Sequence, residues 1–443
     1  MTRAKGAAMR RIQAGNALSA FGLGFTVPYL YVYVAQVREL GATTAGVVLA
    51  VFAMAALAVL PFTGRVVDRR GPLPVLVGAA LLASVGAAGL GLATDVPAAV
   101  GSATLLGAGT AVMQPALATM IVWCSDAATR TRAFATQFFL QNLGLGIGGL
   151  IGGHLVDESR PSSFTLLFGI EAVMFLVLAG MALTIRLPRP GAPAGARPTA
   201  PGGGGGLRVL LGHRAMVQLL VLGFVLFFAC YGQFESGLAA YGTEAAGIAP
   251  ATLGTALAAN TAVIVAAQFL VLRFVERRSR TKVIASVGLI WAVAWLAAGY
   301  AGLGHGGQAM ATAAFISTYA LFGLGESMLS PTVAPLVADL APASMVGQYN
   351  SAFALVKQLA LAVGPAVGGP MGATLHGPYI VTFVLFSLGI TALALRLGRR
   401  LAPEQDRPWL ATSSRVVAVH VPGGEGHPSA TEAPRSPAAG GSR

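Results

Sequence analysis

The sequence predicts an all-α polytopic membrane protein with twelve transmembrane helices in two pseudo-symmetric six-helix bundles. Hydrophobic residues make up 55% of the 443 residues and charged residues only 10%, against roughly 25% charged in soluble domains. The apolar residues fall into long continuous runs, and the second half of the chain repeats a pattern of the first. This composition excludes a soluble globular protein and favours a chain that lies mostly in the bilayer.

Twelve apolar runs have about the 20 residues that a helix needs to cross the hydrocarbon core. Long continuous runs favour helices over barrel strands, which appear as short alternating segments. The predicted spans are 12–35, 43–62, 75–94, 98–122, 133–155, 163–186, 214–238, 251–272, 282–301, 309–338, 346–374 and 378–397.

The positive charges predict the orientation of these spans. An even number of spans places both termini on one side. With the N-terminus inside, the 29 Lys and Arg residues all lie on the inner side except Arg38, Arg160 and Lys357. This distribution follows the positive-inside rule. It predicts a multi-pass protein of the plasma or inner membrane with both termini cytoplasmic. It also explains the net charge of +13 without nucleic acid as a partner.

Composition divides the chain into four parts. A Pro- and Gly-rich stretch within residues 187–213 is typical of a disordered cytoplasmic linker. It separates an N-terminal bundle (1–186) from a C-terminal bundle (214–400). The polar segment 401–443 is predicted to be a disordered cytoplasmic tail.

An internal repeat relates the two bundles. At a spacing of 216, the positions that match are Gly107, Gly109, Pro115, Gly148, Gly152 and Gly153 with Gly323, Gly325, Pro331, Gly364, Gly368 and Gly369. At a spacing of 208, Glu276 and Arg277 stand where Asp68 and Arg69 stood. Repeated six-helix halves are a recurring plan of transporters, with the substrate site between the halves near mid-membrane.

The segment GRVVDRRG between the second and third spans resembles the signature loop of the major facilitator superfamily. The match rests on Gly64, Asp68, Arg69 and Gly71, and it fails at the two positions after Gly71, where basic residues are usual. The resemblance implies the major facilitator fold and a loop that gates the cytoplasmic side. It also implies that Asp68, at a helix end, pairs with basic residues of neighbouring helices.

The fifth span is similar to the antiporter motif of drug exporters in this superfamily. The matching residues are Gly144, Gly148, Gly152 and Gly153, and the eleventh span has a related set in Gly364, Pro365 and Gly368. Small residues at this spacing let helices approach closely. The resemblance to the twelve-helix drug:proton antiporters implies proton-coupled efflux of a hydrophobic or amphipathic small molecule. The chain departs from these antiporters at a position that bears on proton coupling. Ala103 stands where their fourth helix usually carries an arginine.

Buried charges are the main candidates for ion coupling, because a charge in the bilayer costs a few kcal/mol unless it faces a partner or a cavity. Glu326 and Lys357 are predicted to lie level near mid-membrane on adjacent helices. Two interpretations stay open: a pair that breaks on protonation or substrate entry, and a static structural pair. Glu235 is a further proton candidate. For Glu171, in the sixth span, a locally hydrogen-bonded carboxylate is the favoured interpretation.

Aromatic and amide side chains suggest a substrate cavity. Phe228 and Tyr231 are predicted to share a helical face with Glu235, and Phe25 and Tyr29 form a similar face in the first span. Such faces suit a bulky, partly cationic substrate, although plain aromatic packing is the alternative. Gln141, Asn142 and Gln358 are added because Gln141 and Asn142 align with Lys357 and Gln358 in the repeat.

These observations favour a secondary active transporter that works by alternating access. An importer or facilitator of a small polar metabolite and a non-transporting receptor or assembly protein remain alternatives. The chain lacks a Walker loop and common hydrolase motifs, so we expect no enzyme activity, cofactor or metal. The expected partners are a small-molecule substrate, a proton gradient and the lipid bilayer, with the protein as a monomer.

Overall fold

The computed structural model describes residues 3–26, 29–157, 160–187, 206–234, 236–304 and 306–410. Within these ranges the regular structure is helical and contains no strand. The helices of the first half are α1 (Arg3–Thr26), α2 (Leu30–Val32, continued by a π-helical turn Tyr33–Val37), α3 (Gly41–Arg70), α4 (Pro72–Leu92), α5 (Val96–Cys124), α6 (Ala127–Leu155) and α7 (Pro161–Leu183).

The second half begins beyond the stretch 188–205, where the predicted disordered linker lies outside the described residues. Its helices are α8 (Gly206–Gly212), α9 (Arg214–Ala229), α10 (Gly237–Glu244), α11 (Pro250–Val275), α12 (Arg280–Gly302), α13 (Gly307–Leu340), α14 (Val346–Thr374), α15 (His376–Gly398) and α16 (Pro403–Asp406).

Ten helices of the described ranges are long and apolar enough to cross a membrane, by length and composition. The number rises to twelve if each of two bent pairs forms one span, namely α1 with α2 and its π-helical continuation, and α8 with α9. The all-α polytopic fold is therefore confirmed, and the upper figure equals the predicted number of spans.

Capping residues and turn glycines mark the ends of several helices. The carboxylate of Asp95 accepts a hydrogen bond from the Ala98 amide, 2.8 Å away, at the start of α5. Asp126 and Thr129 form a reciprocal capping box at the start of α6. Gly71 separates α3 from α4 with φ of 87°, a positive value that glycine adopts without steric cost.

Each half buries its own hydrophobic core. In the first half Tyr33 stacks with Phe164 and packs against Phe168. In the second half Trp295 stacks with Phe383 and meets Phe322 edge to face. Aromatic pairs add about 0.5–1.5 kcal/mol beyond the area that they bury. Each half therefore has internal packing of its own.

The glycines of the fifth predicted span are in close contact with α1. A Cβ at Gly144 would lie 2.5 Å from the Ala17 carbonyl oxygen, and a Cβ at Gly148 would overlap the carbonyl of Phe21. Gly152 and Gly153 face the rings of Phe25 and Tyr29. Only glycine permits this approach of two backbones, as the small-residue motif predicts.

The seventh predicted span is broken, which corrects the continuous helix 214–238. Helix α9 ends at Ala229, and the chain resumes as α10 at Gly237. The fully buried Gln233 occupies the break, where its amide nitrogen donates to the carbonyl oxygens of Phe228 (3.1 Å) and Gly364 (3.4 Å). Its amide oxygen accepts from the Tyr379 hydroxyl at 3.1 Å. These bonds satisfy a carbonyl that the end of α9 leaves free.

The glycine set of the eleventh span packs against this break. A Cβ at Gly364 would lie 2.6 Å from the Gly232 Cα atom, and one at Gly368 would overlap the Gln233 amide. Pro365, next to Gly364, is exposed within α14. The predicted close packing is thus observed, although its partner is an interrupted helix.

The start of the predicted disordered tail is ordered, which corrects the expectation for residues 401–410. This segment contains α16, and Leu401 belongs to the core of the second half. Residues 411–443, the rest of the predicted tail, lie outside the described residues.

Candidate functional site

The two halves meet at the end of the bundle that carries most of the Lys and Arg residues. We call it the basic end, and it is the end predicted to face the cytoplasm. Gly64 of α3 lies against α14 so closely that a Cβ would stand 2.5 Å from the Gln348 Cα atom. The Asn350 amide of α14 donates to the Thr119 hydroxyl of α5 at 3.4 Å. These contacts close the bundle at the basic end.

Asp68 joins the halves by capping the start of α14. Its carboxylate accepts hydrogen bonds from the backbone amides of Gly347 (2.6 Å) and Gln348 (3.1 Å) and from the Gln348 side chain (3.1 Å). The partial positive charge of a helix N-terminus stabilises such a carboxylate. Asp68 therefore lies at the predicted gate, with a helix N-terminus as its partner. The expectation of a basic partner is wrong for the described residues, since none of their ion pairs includes Asp68 and Arg69 is exposed.

A second contact between the halves is centred on Asp339, near the end of α13. One carboxylate oxygen accepts from the Arg130 guanidinium of α6, in the first half, and the other accepts from the Arg280 Nη1 of α12 at 2.6 Å. Arg280 is only 2% exposed. The side chains of Arg130 and Asp339 are also largely buried. We call these contacts, with those of Gly64 and Asp68, the basic-end gate.

A third pair repeats the Asp68 contact with pseudo-symmetry. Arg132, near the start of α6, lies 3.2 Å from the Glu276 carboxylate at the end of α11. Glu276 follows Asp68 by 208 positions, and Gln348 follows Arg132 by 216, the two spacings of the sequence repeat. The end of α11 thus meets the start of α6 as the end of α3 meets the start of α14.

Glu326 is buried on α13, with 3% of its surface exposed. Its Oε1 accepts a hydrogen bond of 2.8 Å from the Asn260 amide of α11, and that amide also donates to the Tyr319 carbonyl oxygen. The close approach of α11 and α13 that permits this bond depends on Gly323, where a Cβ would lie 2.5 Å from the Asn260 carbonyl oxygen. Tyr231 and Lys357 are the other side chains that interact with the carboxylate.

Lys357 of α14 is a neighbour of Glu326 and does not contact it directly. Its ammonium lies over the Phe227 ring, 5.1 Å from the centroid, and interacts with Glu326 at longer range. Among the described residues, no ion pair within 4.0 Å includes either group. The chain therefore places two charges close together with a gap between them.

Aromatic rings surround this pair of charges. Tyr231 packs on Phe227 and Phe234, and Phe234 packs on Tyr319 and Phe322. The Tyr319 hydroxyl donates to the Phe234 carbonyl oxygen at 2.8 Å. Because α9 ends before it, Tyr231 reaches this position from the break and not from the predicted continuous face with Phe228.

Two predicted cavity residues are core residues in this structure. Phe25 is 1% exposed and packs edge to face on Phe21. Phe228 is buried against Phe224 and Phe383. Neither ring is accessible to a ligand in this conformation.

The remaining cavity candidates are partly exposed. Tyr29 is half-buried and donates from its hydroxyl to the Gly149 carbonyl oxygen at 3.0 Å. Gln141, Asn142 and Gln358 are half-buried as well, and the Asn142 amide bonds to the Phe138 carbonyl oxygen of its own helix.

Two acidic candidates from the sequence have different outcomes. Glu235 lies outside the described residues. Glu171 is fully buried near Gly22 and Thr26 of α1. No hydrogen bond of 3.5 Å or less reaches its carboxylate oxygens among the described residues, and the Thr26 side chain is the polar group that interacts with them. The locally hydrogen-bonded carboxylate therefore stays a prediction. The described part of the chain also contains no cluster of three His, Cys, Asp or Glu residues able to hold a metal.

Sequence reasoning missed Asn260 as the partner of Glu326 and Arg130, Asp339 and Arg280 as gate residues. The available signal was an acidic residue at the inner end of the tenth span, within a set of inner-side arginines. Which arginine pairs with Asp339 depends on how the two halves pack against each other. A single sequence does not reveal that packing.

The family model of the Major Facilitator Superfamily matches residues 14–365 and 238–422 of the chain. An uncharacterised MFS-type transporter of Bacillus subtilis, YttB, is 25% identical over 405 residues, which cover 88% of this chain and 91% of that protein.

Solved structures agree in fold. FucP, a transporter of the same superfamily crystallised in the outward conformation, superposes with a TM-score of 0.72 at 16% identity, covering 90% of this chain and 99% of FucP. A bacterial homologue of the iron transporter ferroportin in an outward-facing state gives 0.71 at 15% identity, covering 89% and 98%.

Proposed function

Since the chain belongs to the major facilitator superfamily, whose fold supports secondary transport by alternating access, we propose that it exports hydrophobic or amphipathic small molecules in exchange for protons. The observation that carries the proposal is the buried Glu326, a carboxylate that accepts a hydrogen bond from the Asn260 amide and interacts with the Tyr231 and Lys357 side chains. In this proposal the protein is a monomer in the plasma or inner membrane. Its basic end and both termini lie on the cytoplasmic side.

Glu326 is the proposed proton carrier because its ionised carboxylate is destabilised near mid-membrane. An ionised carboxylate in the membrane costs at least a few kcal/mol unless a partner stabilises it. The Asn260 amide and the distant charge of Lys357 supply part of that stabilisation. Binding of a proton removes the charge, so the neighbouring helices have different packing preferences in the two states. Lys357 then loses its counter-charge and favours a rearrangement of α14.

The substrate class follows from the rings beside these charges. Phe227, Tyr231 and Phe234 are partly exposed and offer flat apolar faces next to one acidic and one basic group. Such a wall suits an apolar or aromatic molecule with a polar or charged end. The substrate and the proton would compete through Glu326, which is the requirement for exchange. Glu235 remains a second proposed proton carrier.

The proposed cycle uses the basic-end gate. With the gate closed, the substrate site opens to the opposite side, and the outward states of FucP and the ferroportin homologue support this assignment. Opening the gate breaks the contacts of Asp68 and Asp339 and lets the halves rock. Coupling resides in the second half, because Ala103 stands where drug:proton antiporters usually carry an arginine.

The test uses everted membrane vesicles and a panel of fluorescent lipophilic cations with and without an acidic interior. Wild-type protein should accumulate at least one compound when the interior is acidic. Glu326→Gln should lower that accumulation at least about tenfold, the effect of losing one or two kcal/mol of coupling, with expression unchanged.

Glu244→Gln is the matched control, because Glu244 is an exposed carboxylate at the end of α10. It should transport as the wild type does. Near-normal proton-driven transport by Glu326→Gln would remove Glu326 as the coupling site. Uptake that requires a proton gradient of the opposite direction would favour the importer alternative, since the E. coli fucose:proton protein FucP shares the fold.

A further inference from the structure

The first residues of the C-terminal tail lie directly behind the basic-end gate. Asp406 and Gln405 of α16 contact the start of α12, which carries Arg280. We infer that this tail segment, through Asp406, positions Arg280 and Asp339 for closure of the gate. The inference does not depend on the substrate or the driving ion, and it concerns residues 401–410, a part of the chain for which the sequence predicted disorder.

Asp406 holds both residues that flank Arg280. One carboxylate oxygen accepts from the Ser279 hydroxyl at 2.5 Å. The other accepts from the Thr281 backbone amide and the Thr281 hydroxyl, each at 2.9 Å. Ser279 is itself the N-cap of α12. A carboxylate that accepts three donors at a helix N-terminus is a strong attachment, because charge-assisted hydrogen bonds are roughly twice as strong as neutral ones.

Arg280 depends on this attachment because only one of its nitrogens is bonded. Nη1 donates both to the Asp339 carboxylate at 2.6 Å and to the Gln405 carbonyl oxygen at 3.0 Å. Nε and Nη2 are buried without a hydrogen-bond partner among the described residues. The tail therefore shares with Asp339 the Arg280 nitrogen that is hydrogen-bonded.

Charge balance gives a second reason for the coupling. Asp339 is shared by Arg130 of the first half and Arg280 of the second. Two guanidinium groups thus face one carboxylate in a largely buried setting, which alone leaves an excess positive charge. Asp406 supplies the second carboxylate. Without it, the repulsion between Arg130 and Arg280 opposes docking of the halves.

The predicted consequence is a shift of the gate towards the open state when Asp406 loses its charge. The readout is the distance between spin labels at Arg70→Cys and Arg277→Cys, both exposed residues at the basic end of opposite halves, in a background with Cys124→Ala and Cys230→Ala. We call these labels the gate reporters. Asp406→Asn should raise the open-to-closed ratio about fivefold or more, as the loss of one or two kcal/mol produces.

Glu404→Gln is the matched control, because Glu404 is an exposed carboxylate on the same short helix. It should leave the distance distribution unchanged. Asp406→Glu, which restores the charge, should recover part of the closed population. If Asp406→Asn fails to fold, Thr281→Val removes one of the donors and should shift the distances in the same direction.

A double-mutant cycle separates positioning from general stability. In an Asp339→Asn background, Asp406→Asn should have little further effect on the gate reporters, because the group on which it acts is absent. Distances unchanged in folded Asp406→Asn, or equal shifts in both backgrounds, would overturn the inference. A lower melting temperature without any change in distance would likewise show a structural role only.

Discussion

At the scale of single residues, Gly64 permits the close approach of the two halves, because it has no side chain. A side chain at this position would meet the backbone of Gln348 and Gly347, and backbone atoms do not move aside as a flexible side chain does. Gly64→Val should therefore hold the basic-end gate open, with overpacking that costs about 1–3 kcal/mol. The gate reporters would show a longer mean distance.

Gly46→Val provides the control for that substitution. Gly46 is an exposed residue of the same helix, and a Cβ there meets nothing within 4 Å. The variant should keep the wild-type distance. A wild-type distance in Gly64→Val would mean that α3 and α14 can separate without opening the gate.

Residue-level prediction from the sequence found the buried Glu326 and missed its hydrogen-bond partner. The rarity of charges in the spans identified Glu326 and Lys357, and the structure places both in one region of the second half. Their depth on neighbouring helices suggested an ion pair. The side chains instead reach Asn260 and the Phe227 ring, because the direction of a side chain depends on helix rotation, and hydropathy does not report rotation.

At the scale of helices, the two pseudo-symmetric contacts at the basic end differ in strength. Asp68 accepts three hydrogen bonds at the N-terminus of α14. The Arg132 side chain, which pairs with Glu276, is 70% exposed, and exposed ion pairs contribute at most about 1 kcal/mol. Asp68→Asn should therefore open the gate reporters much more than Glu276→Gln does. Equal distance shifts in the two variants would show that the two pseudo-symmetric contacts stabilise the closed gate by the same amount.

The break between α9 and α10 depends on the amide of Gln233. Gln233→Leu should leave the Phe228 carbonyl and the Tyr379 hydroxyl without this buried partner, at a cost of about 1–3 kcal/mol for each unsatisfied group. The midpoint of thermal unfolding in detergent should fall by several degrees. Gln218→Leu on α9 is the control, since its side-chain oxygen has no hydrogen-bond partner among the described residues, and it should change the midpoint little.

An unchanged midpoint in Gln233→Leu would mean that another group takes over these bonds. The sequence did not predict the break because residues 214–238 read as one apolar run. At the break, Gly232 and Gly237 also contact the α14 glycines, and such a contact is a property of two segments together. The repeat identified those glycines correctly, whereas their partner became visible only in three dimensions.

At the scale of the whole molecule, the fold class was predictable because composition, charge asymmetry and repetition each constrain the entire chain. The end rich in arginine, predicted to face the cytoplasm, is the end at which the halves meet in the structure. The conformational state was not predictable, because the contacts that close the basic end depend on how the two halves dock. Those contacts belong to the gate, where Asp339 accepts from arginines of both halves.

Alternating access predicts that a covalent link across the gate stops transport reversibly. Thr119→Cys and Asn350→Cys place two thiols where the wild-type side chains lie 3.4 Å apart on opposite halves, in a background with Cys124→Ala and Cys230→Ala. Oxidation or a short thiol cross-linker should abolish transport of the compound that wild-type protein accumulates, and a reductant should restore it. Each single cysteine variant, treated in the same way, should remain active. A cross-linked double variant that still transports would mean that substrate crosses the membrane without separation of α5 and α14, and rocking of the two halves would then have to be replaced by a local gate.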